Sequence, residues 1–309
     1  MKIIIWGHPL YSHTMSYIFY GFEKAAKYLG HEVYWIDHKA FPTDNGTFYK
    51  DAIFITEGSV DKDIPIRSDC TYIVHSIHPE DAKRKYLGKV KRFIDLRYNH
   101  TNHKDEVYEF HIDKSKLQKI GPCCYLEKNS EYDRVYMSWA TDLLPHEFDY
   151  MKVFKQREDP PSIYFLGTIS NQGRCENASK INPLVESCNK AGIRFVHNDP
   201  WLRPLTAEQV RYFTEKSIIA PDIRGPELLW NGYVPCRIFK NISYGHLGIT
   251  NSPEVYSELE GHCILTDSSQ MLSVGLQHKN DYGRIKEDMK FVREYHTYIN
   301  RLEALLSIL

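Results

Sequence analysis

The chain has 309 residues, 42% hydrophobic and 26% charged, enough apolar material for two ordinary globular domains. Thirty-nine Lys and Arg face 40 Asp and Glu for a net charge of -1, so no global field draws nucleic acid or an anionic membrane surface, and a nucleic-acid partner is not expected. No stretch nears the roughly 20 apolar residues of a transmembrane segment. Gly7, His8 and Pro9 cut the opening MKIIIW short of a signal peptide, and seven cysteines without a CxxC pair fit a reduced, cytoplasmic protein.

Residues 2–6 predict a buried strand. Apolar residues at helical spacing predict a helix from about 13 to 29, with Ser12 or Thr14 as its N-cap and Gly30 ending it. Residues 32–36 predict a second strand, completing a βαβ unit and implying a parallel sheet. Apolar runs at 52–56, 71–75 and 92–96 read as further strands, followed by a polar, irregular stretch from 99 to 119. A charged segment ending in Asp159-Pro160-Pro161 reads as a linker. The pattern then restarts: a strand at 162–166, a polar loop at 167–171, a helix at 178–191, and a strand at 193–196 behind Gly192. Residues 217–220 and 247–250 predict more strands, and 284–309 one long tail helix.

The segment 233–250, YVPCRIFKNISYGHLGIT, carries the most chemistry. Pro235 suits the first turn of a short helix and Gly245 its end. Arg237 and Lys240, three apart, fall on one face near the N-terminus, where unpaired N–H groups and the helix dipole favour a phosphate. The plainer alternative is two solvated surface charges.

This segment resembles the C-domain signature of GT-B glycosyltransferases, Arg-x-Phe-(Glu or Lys)-x-x-x-x-Gly. Three further pieces fall in matching order. IYFLGT at 163–168 looks like the first C-domain strand and its glycine loop. WATDLLP at 139–145 is similar to the interdomain segment, and YHTYINR at 295–301 resembles the tail helix of a bacterial and viral, group 1-like type. The resemblance implies two Rossmann-like α/β domains facing a cleft: 1–150 as acceptor domain, 151–283 as donor domain, and 284–309 as a helix crossing back onto the first.

It also implies transfer of a sugar from a nucleoside diphosphate sugar to a glycan or small hydroxyl acceptor, with no cofactor and no metal. Arg237, Lys240, Gly167 and Thr168 would hold the donor diphosphate. Asn198, Asp199, Ala220, Pro221, Asp222, Asn251 and Ser252 would line the nucleoside. Many retaining members carry two glutamates eight apart; Gly232 and Lys240 occupy those places here, which points to inversion. An inverting transfer needs a general base, and His13, opening the first helix, is the candidate, its ordinary pKa near 6.5 suiting the role.

Other signals lead elsewhere. Asp61-Lys62-Asp63 has the Asp-x-Asp form of a metal site but reads as a surface loop, and no histidine set shows zinc-like spacing. The first loop lacks GxGxxG, which disfavours a dinucleotide-dependent oxidoreductase. The alternatives are a sugar-nucleotide epimerase or hydrolase of the same fold, and a non-catalytic carbohydrate or nucleotide binding module.

Overall fold

The computed structural model of the chain describes residues 1–37, 47–104, 109–154, 159–169 and 177–309; Ser170 and Asn171 of the expected glycine loop lie outside them. The strands are β1 (Lys2–Gly7), β2 (Glu32–Asp37), β3 (Ile53–Glu57), β4 (Thr71–His75), β5 (Arg92–Tyr98), β6 (Asn102–Lys104) and β7 (Glu109–His111). They continue with β8 (Gln118–Gly121), β9 (Cys124–Glu127), β10 (Asp133–Met137), β11 (Ser162–Leu166), β12 (Arg194–Asn198), β13 (Ile249–Thr250) and β14 (Ile264–Leu265). The helices are α1 (Thr14–Tyr28), α2 (Pro79–Lys85), α3 (Ala178–Lys190), α4 (Ala207–Lys216) and α5 (Pro226–Asn231). After them come α6 (Cys236–Ser243), α7 (Pro253–Glu258), α8 (Met271–His278), α9 (Tyr282–Tyr295) and α10 (Tyr298–Leu306).

The chain divides into two compact units. One comprises Met1–Asn99, Asp113–Met137 and Tyr298–Leu309, the other His100–Ile112 and Ser138–Thr297.

The first unit holds an eight-stranded sheet, ordered β2-β1-β3-β4-β5-β10-β9-β8. The strands from β2 to β10 pair in parallel, and β9 and β8 close that edge antiparallel. Ile3 to Trp6 of β1 are all fully buried, the unbroken apolar run of a parallel strand covered on both faces. Helix α1 buries Met15, Ile18, Phe19, Phe22, Ala25 and Ala26, a stripe at spacings of three and four. Its N-cap is His13, not Ser12 or Thr14 as the sequence suggested. The Met15 N–H donates to His13 Nδ1 at 3.1 Å, while the Ser12 hydroxyl is spent on the Pro9 carbonyl at 2.6 Å.

The tail is two helices, not one. Thr141 N–H donates to the His296 carbonyl at 3.0 Å, and Thr141 bridges Thr297 in parallel, which takes these residues out of the helical ladder. Helix α10 belongs to the first unit, where Tyr298 meets Phe22 edge-on with centroids 5.0 Å apart. A Cβ on Gly21 would lie 2.1 Å from the Tyr298 ring, so only glycine admits this contact. Arg301, fully buried, donates to the Pro122 carbonyl at 2.7 Å.

In the second unit β11 pairs with β12 and β13 with β14, both in parallel. Ile163, Phe165, Ile181, Leu184, Ile238, Phe239, Ile242, Met289 and Val292 fill its core. Residues 217–220 do not form the strand expected of them. Ile218 N–H reaches the Ser162 carbonyl at 2.8 Å, but the next contact to β11 is the Ser217 hydroxyl accepting from Tyr164 N–H, and Pro221 removes a ladder donor. Within the irregular stretch at 99–119, β6 and β7 pair antiparallel, and Thr101 N–H donates to the Asn231 carbonyl at 3.0 Å.

Candidate active site

In each unit a polar cluster gathers where parallel strands end, and the two clusters differ in charge. In the second unit the cluster forms around Arg237 on α6. Its guanidinium donates from Nη2 to the Leu166 carbonyl at 3.0 Å and lies over the Phe165 ring, 4.5 Å from the centroid. A Cβ on Gly167 would sit 1.8 Å from that Nη2, so the glycine after β11 is what lets the guanidinium lie under the loop. Burial, and then the like charge of Arg224, pull Arg237 down to about 10, which still leaves it cationic at neutral pH.

Arg224 carries no signal in the sequence. It is 4% exposed and grips the fully buried Asp222 with both Nη2 and Nε, the latter at 3.2 Å. Thr250 adds its hydroxyl to Asp222 Oδ2 at 3.2 Å. Asn251 clamps the Arg224 backbone, accepting from its N–H and donating to its carbonyl, each at 2.8 Å. Asn177 ties the two loops together, donating to the Thr168 carbonyl at 3.0 Å and accepting from Gly225 N–H at 2.7 Å. One carboxylate, bonded to Arg224, thus stands against the charges of two guanidiniums. The electrostatic sum is positive, and a second anion would balance it.

The remaining expected donor residues have visible structural duties. Lys240 does not stand as a second open cation: it is buried and pairs with Asp142 at 3.2 Å, and Tyr244 donates its hydroxyl to the same carboxylate at 2.6 Å. Gly167 N–H donates to the Asn198 carbonyl at 3.0 Å, and the Asn198 side chain donates to the Arg203 carbonyl at 3.0 Å. Asp199 accepts from Trp201 N–H at 2.9 Å in a turn. The Ala220 carbonyl accepts from the Asn241 side chain at 2.8 Å, and Pro221 is buried beside it. Ser252 caps α7, accepting from Val255 N–H at 3.4 Å. Gly232, where a glutamate was noted as missing, has φ of +67°, and a Cβ there would lie 2.2 Å from Thr101 Oγ1. Local backbone shape accounts for that departure.

In the first unit, His8 follows β1, His13 caps α1 and Glu57 ends β3, the strand beside β1. His8 Nε2 lies 2.5 Å from Glu57 Oε1, and His13 Nδ1 lies 4.0 Å from the same oxygen. The two imidazoles stack with centroids 3.9 Å apart and planes 18° from parallel. Ser59 donates its hydroxyl to Glu57 Oε1 at 2.6 Å, and Trp35 Nε1 donates to the His8 carbonyl at 3.2 Å.

Glu57 is 4% exposed. Burial alone would push its carboxyl up, but hydrogen bonds from His8 and Ser59 outweigh it and hold the group below the ordinary carboxylate range. An ionised Glu57 can only accept, so the His8 Nε2 that faces it carries a proton. His13 is lowered chiefly by burial and next by His8, against the pull of Glu57. As a neutral ring accepting Met15 N–H at Nδ1, it carries its proton on Nε2. Glu57 was invisible in sequence because its role depends on β3 lying next to β1.

No family model matches the chain, and no curated protein matches it in sequence. Its structure is similar to that of an α-glucosyltransferase in complex with UDP and a 13-mer DNA containing a central A:G mismatch, with 13% identity and a TM-score of 0.52. That similarity covers 100% of this chain and 99% of the other. It is also similar to α-glucosyltransferase (AGT) in complex with UDP, with 11% identity over 100% and 99% of the two chains and a TM-score of 0.50. No described helix is long and apolar enough to cross a membrane. The chain has the GT-B fold.

Proposed function

We propose that the protein transfers a sugar from a nucleoside diphosphate sugar to a hydroxyl of a glycan or small acceptor. The observation that carries this reading is Arg237 under the loop opened by Gly167, beside Arg224 and the single carboxylate Asp222 that Arg224 grips. Fixed guanidiniums beside a glycine-opened loop suit a diphosphate, and they stabilise the charge that builds as it departs. The cation therefore comes from the protein, and the donor requires no metal. Neighbours of the same fold are glucosyltransferases in complex with UDP. The net charge of -1 favours a glycan or small acceptor over the DNA held by one of them.

The transfer is inverting in this reading. His13 is the base expected from sequence; its Nδ1 is taken by Met15 N–H, which favours its stacked neighbour. The acceptor hydroxyl gives its proton to His8 Nδ1, its oxygen bonds the anomeric carbon, and the bond from that carbon to the diphosphate breaks with the electron pair leaving on the phosphate. Glu57, already bound to His8 Nε2–H, stabilises the imidazolium that forms. Incubation with a panel of nucleotide sugars and candidate acceptors tests the reading. It expects release of nucleoside diphosphate that depends on both partners and a product of inverted anomeric configuration. A protein that binds no nucleoside diphosphate in calorimetry and turns over no donor refutes it.

A further inference from the structure

We propose that His8, His13 and Glu57 bind one divalent transition-metal ion of the zinc class, and that the bound ion shuts down transfer. The β1–α1 loop and the end of β3 bring these three donors together, and one ligand atom from each lies within 4.8 Å of the others. The set is two imidazoles and one carboxylate, which suits a borderline ion such as Zn²⁺ and not the hard, oxygen-seeking Mg²⁺ or Ca²⁺. Ligands about 2.0–2.1 Å from a tetrahedral metal stand roughly 3.4 Å apart. His8 Nε2 must therefore back away from Glu57 Oε1, now at 2.5 Å, and His13 Nδ1 must approach from 4.0 Å, giving up the bond it accepts from Met15 N–H. Each shift is under 1 Å in scale, within reach of a side-chain rotation.

A supporting contact of the kind that orients metal ligands is present: the Ser59 hydroxyl on the carboxylate. Glu57 supplies one negative charge, so a divalent ion leaves the site with a net charge of one and a fourth position for water. Coordination through His8 Nε2 requires the lone pair on that nitrogen, which moves the ring proton to Nδ1. That is the atom assigned above as the base, so a metal-loaded site has no base. Inhibition thus rests on the proposed transfer; metal binding does not.

The test uses the full chain after chelator treatment, with Co²⁺ as spectroscopic probe and Zn²⁺ in calorimetry. One ion per chain is expected, with the intense visible absorption of low-symmetry, four-coordinate Co²⁺, and no binding of Mg²⁺. His8→Asn and His13→Asn should each weaken Zn²⁺ by about 100-fold or more, since loss of mere supporting contacts already costs 10–100-fold. Asparagine at 13 can still cap α1, which keeps the second variant folded. Saturating Zn²⁺ should stop nucleoside diphosphate release, and chelator should restore it. Zn²⁺ that fails to bind, or binds equally to both variants, overturns the site. Full turnover with Zn²⁺ bound overturns the inhibition. A Co²⁺ spectrum in a protein that turns over no donor keeps the site and removes only the transferase reading.

Discussion

In the first unit a buried carboxylate, Glu57, faces two imidazoles; in the second a buried carboxylate, Asp222, is gripped by the Arg224 guanidinium and feels the charge of Arg237. A buried carboxylate therefore has opposite consequences in the two units. An imidazole can gain or lose a proton near neutral pH, so Glu57 sets a tautomer and poises a ring for proton transfer. A guanidinium cannot, so Asp222 holds Arg224 in place and, with Arg237 beside it, leaves a fixed positive charge. In the proposed transfer, proton chemistry falls to the first cluster and anion holding to the second.

The sharpest way to break that division is His8→Ala. Losing a general base costs about 10²–10⁴ in kcat. Nucleoside diphosphate affinity, which the division gives to the other unit, should not change. Steady-state kinetics beside calorimetry reads both quantities. His13→Asn should lose far less turnover, and a loss equal to that of His8→Ala would return the base to His13.

The first unit also keeps a second imidazole neutral by burial. His75 is buried in β4, its Nδ1–H donating to the Leu96 carbonyl at 3.1 Å and its Nε2 accepting from the Ser76 hydroxyl at 2.8 Å. Burial pushes it down to about 4 from 6.5. Between pH 6.5 and 4 the unfolded chain therefore binds a proton that the folded chain refuses. Stability is full above 6.5 and falls with pH through that window, by roughly 3 kcal/mol at most. Urea unfolding at several pH values should show this slope reduced in His75→Gln. An unchanged slope would mean that carboxylates alone govern acid stability.

Arg237→Ala probes the other side of the comparison. A hydrogen bond to a charged group contributes about 1.5–3 kcal/mol, so nucleoside diphosphate binding should weaken roughly 10- to 150-fold while the free nucleoside is unaffected. Arg237→Lys should fall between, since it keeps the charge without the fork. Lys240→Ala should instead act through the buried Asp142 it leaves uncompensated, as lower stability with both ligands affected equally. Selective loss of the diphosphate in Lys240→Ala would restore it as a phosphate ligand.

Local patterns made much of this legible. The first βαβ unit, the glycine loop after β11 and the helix between Pro235 and Gly245 follow from periodicity and punctuation over fewer than about 20 residues. What was not legible depends on strand order or on competition for hydrogen bonds. Glu57 meets His8 across 49 positions because β3 lies beside β1. Arg224 matters because Asn251, 27 residues on, clamps its backbone. The tail breaks at His296 because Thr141 takes its carbonyl, and no apolar spacing in 284–309 records that.

The smallest effect separates ligand contact from scaffold among the polar residues of the second cluster. Ser252 was expected to face the nucleoside, yet it accepts from Val255 N–H, and its own N–H donates to Thr250 Oγ1 at 3.1 Å. Thr250 in turn donates to Asp222, so the serine supports the guanidinium cluster at one remove. Removing an N-cap hydroxyl costs about 1 kcal/mol. Ser252→Ala should therefore lower the melting temperature by a few degrees, with nucleoside affinity within twofold of the parent, and Ser252→Asp, which caps as well, should recover the stability. Parallel thermal melts and nucleoside titrations of both variants decide it. Unchanged stability with a tenfold loss of nucleoside binding would put the hydroxyl on the ligand and move the boundary between scaffold and site to include α7.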